Sequence, residues 1–167
     1  MQADLCEAGF GKNEEKPSKN ELVEGARVIV VATHAVFLDG HDIYGPAHAV
    51  VKHLIAHRQT FLFIKHDLNN CTVSVVDFFY EGKLHKTIKV PYQKTTSLFG
   101  KSWQEMKLAV AICNMIKIPI TVFIGADIVN ALSGIPIWLR GKVVKMIFLS
   151  ADFAHARFSN MLVNFLY

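Results

Sequence analysis

The six residues Arg27 to Ala32 (RVIVVA) constrain this chain more than any others. A short continuous apolar run rich in β-branched residues is the pattern of a strand covered on both faces, as in a parallel sheet. The polar stretch that follows, Thr33 to Gly45, holds His34, Asp39, Gly40, His41, Asp42 and Tyr44 and reads as a loop. Gly45-Pro46 then opens a helix, because proline's missing N–H costs nothing in the first helical turn. Val50, Val51, Leu54 and Ile55 recur at helical spacing on one face, and Thr60 to Ile64 (TFLFI) reads as the next strand. Strand, loop, helix and strand make a βαβ unit. The loop at the carboxyl end of its first strand, facing a helix N-terminus, is where doubly wound sheets hold ligands.

Composition limits what can be built around that unit. A chain of 167 residues with 51% hydrophobic content suits one domain with a two-sided core. The formal charge of +4 permits anionic partners such as nucleotides or an acidic membrane surface, and nucleic acid is not among the expected partners. Cys6, Cys71 and Cys113 show no metal-type spacing and cannot all pair, which fits a reduced cytoplasmic setting. Residues Met1 to Glu24 are polar and irregular and read as a disordered leader, with the domain itself spanning residues 25–167.

Further along, Cys71 to Tyr80 and Leu84 to Val90 alternate around Glu81-Gly82-Lys83, a hairpin by period and punctuation. Tyr92 to Gly100 reads as a polar loop. Ser102 with Glu105 three residues on forms a capping-box pattern before an apolar helix, Trp103 to Ile116. Ile120 to Ile124 reads as a buried strand. Asp127 caps a helix that Gly134 and Pro136 are expected to interrupt, Lys142 to Leu149 is the last clear strand, and Ser159 to Tyr167 starts a helix. This alternation predicts an α/β three-layer sandwich with a mostly parallel sheet and an inserted β-hairpin.

Three constellations could carry chemistry. In the stretch from His34 to His48, backbone N–H groups near Gly45 could hold a phosphate at a helix N-terminus, though Gly45-Pro46 reads equally well as a plain helix start. Asp127 and Asp152 each follow a strand and should emerge at the same carboxyl edge of the sheet. Asp152 stands with His155 and Arg157 in a group suited to an anionic or polyhydroxylated ligand, or to an Asp152–Arg157 ion pair that holds the loop. His53 and His57 lie four apart on a helix, a chelating spacing with no third ligand nearby, and a solvated helix flank accounts for them better.

The segment Ile124 to Gly134 (IGADIVNALSG), with Lys142 to Leu149, Asp152, Arg157-Phe158-Ser159-Asn160 and Asn164 to Tyr167, resembles the amino-terminal domain of group 1, subfamily-4-like glycosyltransferases of the GT-B fold. The similarity covers roughly Arg27 to Tyr167. It implies a Rossmann-like domain that binds a glycan or lipid-linked acceptor, facing a carboxyl-terminal domain that binds the nucleotide-sugar. On this pattern the chain is the acceptor half of an enzyme and inactive without its donor domain. The nucleotide-sugar is a co-substrate, and no cofactor or metal is expected. Carried onto this sequence, His41, Tyr44 and Gly45 would approach the donor phosphates, and Asp127 and Asp152 would serve catalysis on the acceptor side, with His155 and Arg157 as further substrate- or phosphate-binding residues. The first loop departs from the family pattern, with Gly40 and then Gly45-Pro46 in place of a Gly-Gly pair. Val36, Phe37 and Leu38 offer either a peripheral membrane contact or packing against the second domain. The alternative is a stand-alone flavodoxin-like or Rossmann-like nucleotide-binding or regulatory module.

Overall fold

The computed structural model describes residues 27–38, 41–43, 45–68, 73–91 and 97–150. Its centre is β1 (Val28–Leu38), flanked in parallel by β3 (Phe61–Asp67) on one side and β6 (Ile120–Gly125) on the other. Beyond β6 lies the parallel β7 (Val143–Phe148). Beyond β3 lie two antiparallel strands, β4 (Val73–Tyr80) and β5 (Lys83–Pro91), so the order is β5-β4-β3-β1-β6-β7. A short strand β2 (His41–Ile43) pairs antiparallel with the far end of β1. The expected α/β sandwich with a mostly parallel sheet and a hairpin at one edge is the fold observed.

Helix α1 (Ala47–Ala56) covers one face of the sheet, and α2 (Leu98–Met115) and α3 (Ile128–Leu139) cover the other. The chain leaves β1 toward β3 through α1 and leaves β6 toward β7 through α3. Crossovers of one hand running in opposite directions put their helices on opposite faces. Alternate residues of β1 therefore serve two cores. Val28, Val30 and Ala32 pack with Ala109, Ile112, Cys113 and Ile137, whereas Val31 packs with Ala47, Val51 and Leu54. The β4–β5 turn places Glu81 and Gly82 at φ 49° and 75°, the left-handed pair of a tight hairpin turn. A Cβ on Gly82 would lie 2.5 Å from the Ile55 carbonyl oxygen, so glycine lets the hairpin rest on the end of α1.

Three local expectations are corrected. Thr33 to Gly45 is not a loop, because β1 runs on to Leu38 and folds back as β2. Thr33, His34 and Ala35 stay in the sheet by pairing with Lys65, His66 and Asp67 of β3, polar residues that find partners on the two faces. Helix α2 begins five residues earlier than the capping-box pattern suggests, at a cap formed by Ser97, whose hydroxyl accepts from the Gly100 N–H at 3.4 Å. Ser102 and Glu105 thus lie inside the helix. Pro136 does not end α3, since Ser133, Gly134 and Ile137 around it are buried against the sheet and hold the helix to Leu139. Residues 1–26 and 151–167, and with them the expected leader and last helix, lie outside the described residues.

Candidate functional site

The two crossovers diverge between β1 and β6, which makes the carboxyl ends of these strands the topological switch point where open α/β sheets bind ligands. His34 stands there. It extends past Gly125, the last residue of β6, on the face covered by α2 and α3. Its Nδ1 lies 2.9 Å from Asp127 Oδ2 and its Nε2 lies 3.0 Å from Glu105 Oε2. One imidazole thereby ties β1 to both helices of that layer.

Each partner is placed by local structure. Asp127 is the N-cap of α3 and accepts the Asn130 backbone N–H on Oδ1 at 2.9 Å, while Asn130 Nδ2 donates to Oδ2 at 2.6 Å. Helix α3 can start this close to β6 because of glycine: a Cβ on Gly125 would lie 2.4 Å from the Ala131 Cα. Glu105 is 1% exposed, with Lys101 Nζ 3.9 Å from its second oxygen, and Lys101 also donates to the Asp67 carbonyl at 2.7 Å. Below His34, across the β1–β3 register, lies the fully buried His66, its ring 5.9 Å away and its Nδ1 2.8 Å from Ser74 Oγ. His66 Nε2, Glu105 Oε1 and Asn130 Oδ1 are buried with no hydrogen-bond partner among the described residues.

The two histidines are pushed in opposite directions. Burial lowers the His34 pKa, but its hydrogen bonds to Asp127 and Glu105 and the charges of both carboxylates outweigh burial and raise it to about 9. It is an imidazolium at neutral pH, donating from both nitrogens. Burial also dominates at His66 and takes it down to about 4, so that ring stays neutral. Burial works against the Asp127 carboxylate too, yet its bonds to His34 and Asn130 hold its pKa below the ordinary value. The charges of His34 and Lys101 offset those of Asp127 and Glu105. The site is therefore neutral overall but rich in donors and acceptors. An ionised carboxylate has about four lone-pair positions. Among the described residues three on Asp127 are engaged, which leaves one on Oδ1 for a ligand hydroxyl.

Of the residues singled out from sequence, Asp127 lies in this site. Gly45 sits in the exposed turn before α1 at φ 45°. His41 lies in β2. Tyr44, Asp152, His155 and Arg157 fall outside the described residues. His53 and His57 lie on the exposed flank of α1 with rings 4.0 Å apart, and no group of three or more metal-type ligands occurs among the described residues. Val36 is half-buried in β1 opposite Ile43 rather than in a loop. Sequence reading missed His34, Glu105 and Asn130 as a unit, because they come together from positions 71 and 93–96 residues apart. Comparison with protein-family models, with curated proteins and with solved structures finds no match for this chain.

Proposed function

We propose that this domain is the acceptor-binding half of a sugar-nucleotide-dependent glycosyltransferase, acting in the cytoplasm on a glycan or lipid-linked acceptor. The observation that carries the reading is the imidazolium–carboxylate corner at the β1/β6 switch point, with one Asp127 lone pair unused among the described residues. A neutral, polar corner suits a hydroxyl-rich ligand better than a phosphate. The carboxylate cap also occupies the Asn130 N–H at the start of α3 and puts a negative charge there, which disfavours an anion.

Roles follow from the protonation states. Asp127, ionised and held below the ordinary carboxylate range, is a weak base, so its part is to accept the acceptor hydroxyl's hydrogen bond and orient the oxygen. His34 keeps Asp127 in place and supplies positive charge beside the reacting oxygen. The donor phosphates are assigned to the other side of the edge, around His41, Tyr44 and Gly45. There α1 begins with neither a side-chain cap nor an acid in its first turn, an arrangement that tolerates an anion. The donor's sugar would come from the facing domain that the resemblance implies.

The same uncapped start of α1 favours the second reading, a nucleotide-binding module. Calorimetric titration of the chain with a panel of glycans, nucleotide-sugars and free nucleotides separates the two. The acceptor reading expects glycan binding that Asp127→Asn abolishes while the far-ultraviolet circular dichroism is unchanged. Tight nucleotide binding, indifferent to Asp127→Asn and with no glycan bound, would replace it with the second reading.

A further inference from the structure

Helix α3 is built inside out. Its sequence, IVNALSGIPIWL, contains no charged residue, and its two polar side chains, Asn130 and Ser133, are both buried. Apart from the buried Ile137, the large apolar residues of its main stripe lie on the other side. Ile128, Leu132, Ile135 and Leu139 recur at i, i+4, i+7 and i+11, a single stripe opposite the buried face, and Leu139 is 71% exposed. Trp138, half-exposed, flanks the stripe at its C-terminal end. The exposed Met115, at the end of α2, stands beside it, because Lys142 Nζ donates to the Asn114 carbonyl at 3.1 Å and ties the two helix ends together.

The charge around this stripe has one sign. Between residues 106 and 150 the chain carries Lys107, Lys117, Arg140, Lys142 and Lys145 against Asp127 alone, and Asp127 is engaged by His34 at the far end of the helix. Lys117, Arg140 and Lys142 are exposed and cluster where α2 and α3 end.

We infer that the outer face of α3 is a docking surface for an anionic membrane, with α3 lying in the interface plane, Leu132, Ile135 and Leu139 in the acyl boundary and Lys117, Arg140 and Lys142 among the headgroups. A sequence of apolar stripe, tryptophan and cations along one helix is the depth profile of a bilayer interface. No helix of the described residues is long and apolar enough to cross a membrane, so the contact is peripheral. This surface lies away from the β1–β2 ribbon and stands independently of the glycosyltransferase reading.

The test uses the whole chain carrying Trp103→Phe, which leaves Trp138 as its only tryptophan. Vesicles of phosphatidylcholine with about one-third phosphatidylglycerol should shift the Trp138 emission to the blue and carry the protein down on sedimentation. Each cation near an anionic surface contributes roughly fivefold to partitioning. Arg140→Glu with Lys142→Glu should therefore weaken binding at least tenfold, and Leu139→Glu should abolish the shift. All three positions are exposed, and a cooperative thermal unfolding transition of these variants without lipid checks their fold. Binding as tight to pure phosphatidylcholine, or none to either vesicle, overturns the proposal. So does a concentration-dependent blue shift without lipid, accompanied by a dimer in analytical ultracentrifugation, since the stripe would then meet a second copy of the chain.

Discussion

Lys65 and His34 pose the same problem on opposite faces of one sheet. Each is a cation held between two carboxylates: Lys65 between Asp42 and Asp77 on the α1 face, His34 between Asp127 and Glu105 on the α2/α3 face. Their surroundings differ. Lys65 Nζ lies 2.6 Å from the buried Asp77, whose other oxygen accepts from Thr87 at 2.6 Å, so the group ties β2, β3, β4 and β5 together. His34 ties one strand to two helix positions, and its charge can be removed within the range of pH in which proteins are handled. The first arrangement fastens strands. The second sets a titratable, partly exposed group at the place where the fold opens to a ligand.

The largest effect expected from this contrast is at the lysine. Lys65→Met leaves Asp77 buried without its counter-charge, and stranding one member of a buried pair costs about 3–5 kcal/mol. Denaturant unfolding of the variant should show that loss at pH 7, and the double variant Lys65→Met/Asp77→Asn should recover at least half of it. A loss below about 1 kcal/mol would mean that Lys65 is solvated in solution and would erase the distinction between the two faces.

The contrast also marks how far sequence reading reaches. Strands β3 and β6 and the apolar start of β1 were legible because burial on both faces writes a continuous apolar run. The β4–β5 turn was legible because Glu81-Gly82 adopts a local, glycine-dependent geometry. Asp127 was legible as a cap and as an edge residue, since both follow from its place between a strand and a helix. The polar half of β1 was not. Thr33 and His34 look like loop residues until Lys65, His66, Glu105 and Asp127 arrive from elsewhere to satisfy them or pair with them. Glu105 illustrates the same limit, because Ser102-x-x-Glu105 matches a helix start, yet its carboxylate is used by a histidine 71 residues away. Local periodicity records burial, whereas a buried polar cluster is encoded only in residues distant along the chain.

A smaller, pH-dependent effect should separate the histidine from the lysine. The folded pKa of His34, about 9, is above its ordinary 6.5, so the folded state binds that proton more tightly. Its contribution is fully present below about 6.5 and is lost as pH rises through about 9, with a magnitude of order 3 kcal/mol. Acid acts through other groups. His66, held neutral with its pKa down at about 4, and Asp127, held low, both withdraw stability as pH falls. Urea unfolding of His34→Gln across pH 4 to 10 should therefore lose the alkaline decline and keep the part of the acid decline that His66 contributes. An unchanged alkaline limb would assign that decline to some other group and remove the titratable character claimed for this face.

The smallest change in stability, and the sharpest in the site, is expected from Asp127→Asn. Asparagine caps a helix about as well as aspartate, so α3 keeps its start and the Asn130 N–H keeps an acceptor. What goes is the counter-charge. Facing His34 Nδ1, the new amide nitrogen is a donor where an acceptor stood, which favours the neutral imidazole that accepts at Nδ1 and donates from Nε2 to Glu105. Exchanging a charged hydrogen bond for a neutral one at this partly exposed position should cost about 1 kcal/mol. The His34 pKa should meanwhile fall well below 9, read from its Hε1 resonance during an NMR pH titration. If the resonance still titrates near 9, Glu105 alone holds the proton, and Asp127 is a helix cap with no part in setting the charge that distinguishes this face from the lysine's.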